Sequence, residues 1–273
     1  MWHFHPIGRP VSLTGLYTAF ATEFTPDFVF RGESHDFYEL VLVTKGAIGV
    51  TAGANSFVLE APAAILHPPI EFHSIRSAQN TAPKIMIFSF GADALPDYKK
   101  NIFALSTENI AHAQSALDLL HKSTAMAGNL AGDVLEGKEK EAQLALLELE
   151  VLLLTLTEQG EPSPKKEGSA GGRNYRRALR IIEENLTLPL NTNDLARLCH
   201  MSPSLLKKTF ARHAGVGVME YFRTRKINAA IPLLREGVGV QEIATRLGFS
   251  NAGYFSTVFH RVTGKTPSFY RNH

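Results

Sequence analysis

DLARLCHMSPSLLKKTFARHAGVGVMEYFRTRKINAAIPLL, residues 194–234, and GFSNAGYFSTVFHRVTGKTPSFYR, residues 248–271, carry the same local pattern twice. In the first, Asn191 can cap a helix carrying Leu195, Ala196 and Leu198. The chain then turns through Cys199-His200-Met201-Ser202. Ser202 and Pro203 form an N-cap and first-turn pair for a second helix that ends at His213, where Gly215 closes it. Leu205, Leu206 and Phe210 are expected on its core face, which leaves Ser204, Lys207, Lys208 and Arg212 outside. The second copy places a helix over 240–247, a turn at Gly248-Phe249-Ser250 and a helix over about 251–262, stopped by Gly264 with Pro267 beyond. Phe255, Val258 and Phe259 point inward there. Asn251, Gly253, Ser256, Thr257, His260 and Arg261 point outward. Two short helices joined by a tight turn present the second helix to a major groove about 12 Å wide. The outer face of the second copy has fewer long hydrogen-bonding side chains, so it should read less sequence than the first.

Charge separates this region from the rest. From Arg173 onward there are 16 Lys+Arg against 6 Asp+Glu, net +10, whereas residues 1–172 hold 12 against 20, net −8. A basic third attached to an acidic remainder suits a chain of which only one part meets a polyanion. The two quoted segments resemble the double helix-turn-helix of the AraC/XylS regulators, over about a hundred residues in the same order. The resemblance implies double-stranded DNA as partner, with both recognition helices entering successive major grooves, joined rigidly by the helix over 218–235 that contains Arg225 and Ala229. RNA polymerase would be a further partner if the outcome is activation. Two features depart from the pattern. Pro232 lies inside the connecting helix and should kink it or cost about 3 kcal/mol. Gly253 and Thr257 stand where long polar side chains are often found. The DNA-contacting set expected is therefore Ser204, Lys207, Lys208, Arg212, Asn251, Ser256, Thr257 and His260.

Upstream, residues 160–172 (GEPSPKKEGSAGG) are all small, polar, Pro or Gly and read as a flexible linker with a reach of about 20 Å. This lets the flanking domains reorient and divides the chain into 1–159, 160–172 and 173–273. Before the linker, helical composition is expected over about 108–125 and 138–158. The second of these helices has two apolar stripes, one of Leu144, Leu147, Val151 and Leu154 and the other of Leu146, Leu149, Leu153 and Leu156. One stripe can cover the domain while the other meets a second copy in a homodimer.

Residues 11–90 read as short strands punctuated by Gly and Pro, with apolar runs at 37–43 and 85–90. In an extended strand Glu33, His35, Phe37 and Glu39 would share one face. This spacing, with Gly46, resembles the first cupin motif, and Pro68-Pro69-Ile70-Glu71-Phe72-His73 resembles the second. The expected class is thus α+β and multidomain: a cupin-like β-barrel with a helical hairpin, followed by an all-α double helix-turn-helix domain. The barrel implies a small-molecule effector, such as a sugar, held by His35, Phe37, Glu39 and His73, with Phe37 or a neighbouring aromatic stacking on it. Three readings of these positions stay open. They form an organic-effector pocket, a divalent metal site of Glu33, His35, Glu39 and His73, or a set of structural histidines. The expected function is a ligand-responsive DNA-binding transcription regulator. A metal-dependent cupin enzyme or a metal-sensing regulator is the alternative.

Composition limits the remaining classes. The one cysteine, Cys199, excludes an intramolecular disulfide and a Cys-cluster zinc site, and its place at the end of an apolar helix suits packing rather than nucleophilic chemistry. No apolar run reaches the roughly 18–20 residues of a membrane helix. The start lacks the basic and apolar regions of a secretory signal, so a cytoplasmic location and no membrane are expected; no enzymatic activity is expected, because an enzyme would leave the duplicated helix-turn-helix and its basic charge without a role.

Overall fold

The computed structural model describes residues 2–3, 5–98, 101–126, 128–156 and 170–271. Among the described residues eight strands come first: β1 (Ser12–Glu23), β2 (Tyr38–Lys45), β3 (Ala47–Ala52), β4 (Asn55–Glu60), β5 (Ala63–His67), β6 (His73–Ser77), β7 (Lys84–Ala94) and β8 (Ile102–Ala104). They form a five-stranded sheet in the order β1-β7-β2-β5-β8 and a three-stranded sheet in the order β4-β3-β6. The expected barrel is therefore a cupin-like roll of two separate sheets, and its strands continue past residue 90 to β8.

Alternation along the strands explains how both faces of the larger sheet are used. Val41 and Val43 of β2, Ile65 of β5, and Ile85 and Ile87 of β7 pack with Ile48, Val50 and Ile75 of the smaller sheet to fill the space between them. Their neighbours Leu40, Leu42, Leu66, Phe88 and Phe90 point the other way and lie under α1 (Thr107–Ser123) and α2 (Glu139–Leu156). A strand buried on both faces reads as an unbroken apolar run, as YELVLV does. Within α2 the stripe Leu149, Leu153 and Leu156 is buried with Leu146 beside it, while Leu144, Leu147, Val151 and Leu154 remain 37–42% exposed.

The C-terminal part is helical: α3 (Ala170–Glu184), α4 (Thr192–Leu198), α5 (Pro203–His213), α6 (Val218–Arg235), α7 (Val240–Arg246), α8 (Ala252–Thr263) and α9 (Pro267–Arg271). Residues 170–172 belong to the first turn of α3, because Gly172 is buried there; residues 160–169 of the expected linker lie outside the described residues. Tyr175, Ala178, Leu179 and Ile182 of α3 join Leu195, Leu206, Phe210 and Tyr221 in one core, and Ile227, Ile231, Leu234, Ile243, Phe255 and Phe259 make a second. The connecting helix runs through both. Pro232 lies in the last turn without breaking the helix, which runs on to Arg235 with the Pro232 carbonyl accepting from Glu236 N–H, and Gly237 (φ +82°) follows its end.

Candidate functional site

Three neighbouring strands carry polar side chains into the space between the sheets at one end. Glu39 of β2 is in register with Ser89 of β7 on one side and His67 of β5 on the other, and Ser89 is in register with Thr18 of β1. Glu39, His67 and Ser89 continue the inward rows of Val41, Ile65 and Ile87, so alternation alone aims them inside. From the smaller sheet His73 enters on the same row as Ile75. Ser89 Oγ donates to Glu39 Oε2 at 3.0 Å and is itself bonded to Thr18 Oγ1 at 2.6 Å.

Glu33 and His35 reach this end from the segment before β2, not from a strand. Glu33 forms an isolated bridge with His73, each N–H donating to the other's carbonyl at 3.0 Å. His35 Nε2 lies 3.8 Å from Glu39 Oε2, His73 Nε2 lies 3.3 Å from Glu39 Oε1, and His73 Nε2 is 4.0 Å from Glu33 Oε1. Phe37 falls in a bend outside β2, so the expected single strand face carrying all four residues does not form. Phe37 is also stacked between Tyr17, at 4.0 Å, and His35, at 3.7 Å, which leaves neither ring face open to a ligand.

The electrostatics follow from burial. Burial raises the Glu39 carboxyl, but the imidazoles of His35 and His73 outweigh it and hold it far below the ordinary carboxylate range. Burial lowers His73, and Glu39 with Glu33 overcomes this and raises it. Glu33 is raised, chiefly by burial. His67 is lowered by burial and then by His73.

This polar end abuts the helical part. Gly32 N–H donates to Ala214 O at 2.9 Å, and Ser74 Oγ donates to His213 O at 3.2 Å, so the residues beside Glu33 and His73 both hold the C-terminal end of α5. Phe72, between Glu71 and His73, is buried in the core of α3, α5 and α6, edge-on to Tyr221 at 4.7 Å. Tyr221 Oη donates to Gly53 O at 2.8 Å, and Tyr175 Oη meets Thr51 Oγ1 at 3.2 Å. The two domains meet through these contacts.

On the outer surface, Ser204, Lys207, Lys208 and Arg212 of α5 are exposed. Leu205, expected in the core, is 42% exposed beside them, while Leu206 and Phe210 fill the interior. On α8, Thr257 and His260 are exposed and Ser256 is half-buried. The short polar groups there turn to their own backbone: Asn251 Oδ1 accepts from Tyr254 N–H at 2.7 Å, Ser256 Oγ donates to Ala252 O at 2.8 Å and Thr257 Oγ1 to Gly253 O at 3.0 Å. Between the two units, buried Lys226 of α6 donates to Leu188 O at 2.8 Å and to Leu247 O at 2.6 Å, with its ammonium over the Phe222 ring at 4.6 Å.

Residues 18–156 match the family described as the AraC-like ligand binding domain, and residues 195–273 match a helix-turn-helix domain. The first match alone spans half of the chain. The chain belongs to the AraC family. Among its relatives, the bifunctional transcriptional activator/DNA repair enzyme AdaA of Bacillus subtilis (strain 168) is 35% identical over 91 residues, 33% of this chain and 43% of that one. The HTH-type transcriptional regulator GlxA of Rhizobium meliloti (strain 1021) is 33% identical over 114 residues, 39% of this chain and 35% of that one. The XylDLEGF operon transcriptional activator of Pseudomonas putida is 33% identical over 104 residues, 37% and 32% of the two chains. This AraC-family chain thus spans about a third to two-fifths of the length of these relatives.

In this AraC-family fold, Glu33, His35, Glu39 and His73 come together as the sequence suggested, and Phe37 adjoins them. Reading the sequence missed His67, Ser89 and Thr18, whose placement depends on strand register. It also missed Lys226, although a lysine four residues after Phe222 and four before Ala230 stands on an apolar stripe and was legible as an anomaly. No described helix is long and apolar enough to cross a membrane.

Proposed function

We propose that this chain is a ligand-responsive, sequence-specific DNA-binding transcription regulator that grips duplex DNA with α5 and α8. The observation that carries the reading is the pair of exposed recognition helices joined by α6, with Lys226 of α6 bonded to Leu188 O just before the first unit and to Leu247 O in the second. Long basic side chains on α5 supply base and phosphate contacts, and Leu205 can meet a thymine methyl. The self-bonded short side chains of α8 support a weaker reading of sequence by the second unit.

The ligand of this reading enters the polar end of the roll, at His35, Glu39 and His73. Both faces of Phe37 are taken and two carboxylates face two imidazoles, which favours a small cationic or strongly polar ligand over a sugar that needs an aromatic platform. A second copy of the chain docks on the exposed stripe of α2. A cupin-type enzyme would leave the duplicated unit and its basic surface without a role.

A fragment of residues 170–273 tests the DNA reading. It is expected to bind duplex DNA with an affinity that falls steeply with salt. Lys207→Ala and Lys208→Ala should each cost about 1–3 kcal/mol with relaxed specificity where the side chain reads a base, or weaken all sequences equally with a shallower salt slope where it meets phosphate. A folded fragment with no salt-sensitive binding contradicts the reading. The fragment begins at 170 because a cut at 173 would remove the first turn of α3.

A further inference from the structure

We propose that Glu33, His35, Glu39 and His73 bind one divalent first-row transition metal ion, and that its occupancy is transmitted directly to the end of α5. This rests on the polar end of the roll being the ligand site, and it names the ligand class.

The orientation of the imidazoles carries the argument. His35 Nδ1 lies 3.0 Å from Phe37 O and His73 Nδ1 lies 3.1 Å from Glu71 O. A carbonyl only accepts, so in each ring Nδ1 holds the proton, and the Nε2 of the neutral ring is left with a lone pair. Both Nε2 atoms are buried, neither is aligned in a hydrogen bond, and both face the Glu39 carboxylate. Where Nε2 carries a proton it meets the carboxylate as an ion pair, and a metal ion takes that proton's place between the same atoms when it binds. A backbone carbonyl fixing Nδ1 while Nε2 points inward is the arrangement that outer groups impose on metal-ligating histidines.

Spacing and charge agree with this. One ligand atom from each of the four residues falls within 4.8 Å of the others. Metal–ligand bonds of about 2.0–2.2 Å put neighbouring donor atoms about 3–3.5 Å apart, so the 3.3–4.0 Å pairs need a small contraction and the wider pairs, up to 4.8 Å, a larger one. One divalent ion balances the two carboxylates. The imidazoles argue against calcium and magnesium, which take oxygen ligands, and for zinc, manganese, iron or nickel. Glu39 is held from behind by Ser89, itself tied to Thr18, which fixes a donor oxygen before any ion arrives.

The same residues lead to the DNA-binding part. Glu33 follows Gly32, bonded to Ala214 O, and His73 precedes Ser74, bonded to His213 O. An ion drawing Glu33 and His73 together acts within one residue of both bonds that hold the end of α5.

The full chain, stripped with a chelator and then titrated with zinc and separately with cobalt(II), tests this. Expected are one ion per chain, a rise in Tm with zinc, and visible d–d absorption of cobalt without a thiolate charge-transfer band. Glu33→Gln, in which the half-exposed carboxylate is changed without disturbing the core, should weaken binding at least tenfold. Glu39→Gln combined with His73→Ala should abolish it in a chain whose far-ultraviolet circular dichroism is unchanged. Binding that survives both variants, or a thiolate band from Cys199, overturns the proposal. So does a wild-type chain that takes up no zinc. In that last case a reporter assay separates the two readings: if the double variant loses its regulatory response, the ligand site stands and only the metal falls, and if the response is unchanged both fall.

Discussion

Lys226 shows how one side chain sets the geometry of the DNA-binding part. Its ammonium bridges Leu188 O, before the first unit, and Leu247 O, at the end of α7 in the second, and burial lowers its pKa from the ordinary 10.5 to about 8. The unfolded chain therefore binds more protons at this position between pH 8 and 10.5, and stability rises with pH across that window. Between pH 8 and 9.5 the gain should be on the order of 1 kcal/mol, before the buried tyrosines, raised above their usual 10, begin to oppose it. Urea unfolding of the wild type should show that rise, and Lys226→Met should be flat over the same range; equal slopes would assign the rise to other groups. Gly32 is a second such position. A Cβ there would meet the Phe72 ring at 2.2 Å and Ala214 O at 3.0 Å, so the close approach of the roll to α5 requires glycine. Gly32→Ala should cost about 1–3 kcal/mol by overpacking and split calorimetric unfolding into two transitions. A single unchanged transition would show that the docking does not depend on this approach.

The helices and strands differ in how much of them could be read beforehand. Caps and stops were legible: Asn191 and Ser202 accept from the backbone of their helices as their positions implied, and Gly264 closes α8 at φ +70°. Leu205 was misread because a helix of eleven residues carries apolar residues on more than one face, and only the turn geometry decides which one is buried. The strands gave their composition but not their register, so Glu39 was found while its neighbours Ser89 and His67 were not. In α2 the two stripes separated as expected into a buried and an exposed one, and burying a leucine is worth about 1.5–3 kcal/mol. Leu147→Asp with Val151→Asp should therefore leave the fold intact, since both are about 40% exposed, and convert a dimer to a monomer in sedimentation. A dimer that persists would move the interface off this helix.

For the whole molecule, what the sequence did not disclose is the docking of the two parts. A run of Gly, Ser and Pro suggested independence, whereas contacts distant in sequence, such as Tyr221 with Gly53 and Ser74 with His213, join them. Such pairings leave no local trace, because each partner is an ordinary polar residue in its own segment. They also place the polar end of the roll in direct contact with the end of α5, through Gly32 with Ala214 and Ser74 with His213. What a ligand does at the polar end then matters only if the two units it restrains grip DNA together. Hydroxyl-radical footprinting of the full chain on a duplex selected from a random library tests this most directly. Two protected patches on one face of the duplex, about one helical turn or 10 base pairs apart, are predicted, and a single patch, or protection unaffected by removing α8, would contradict it.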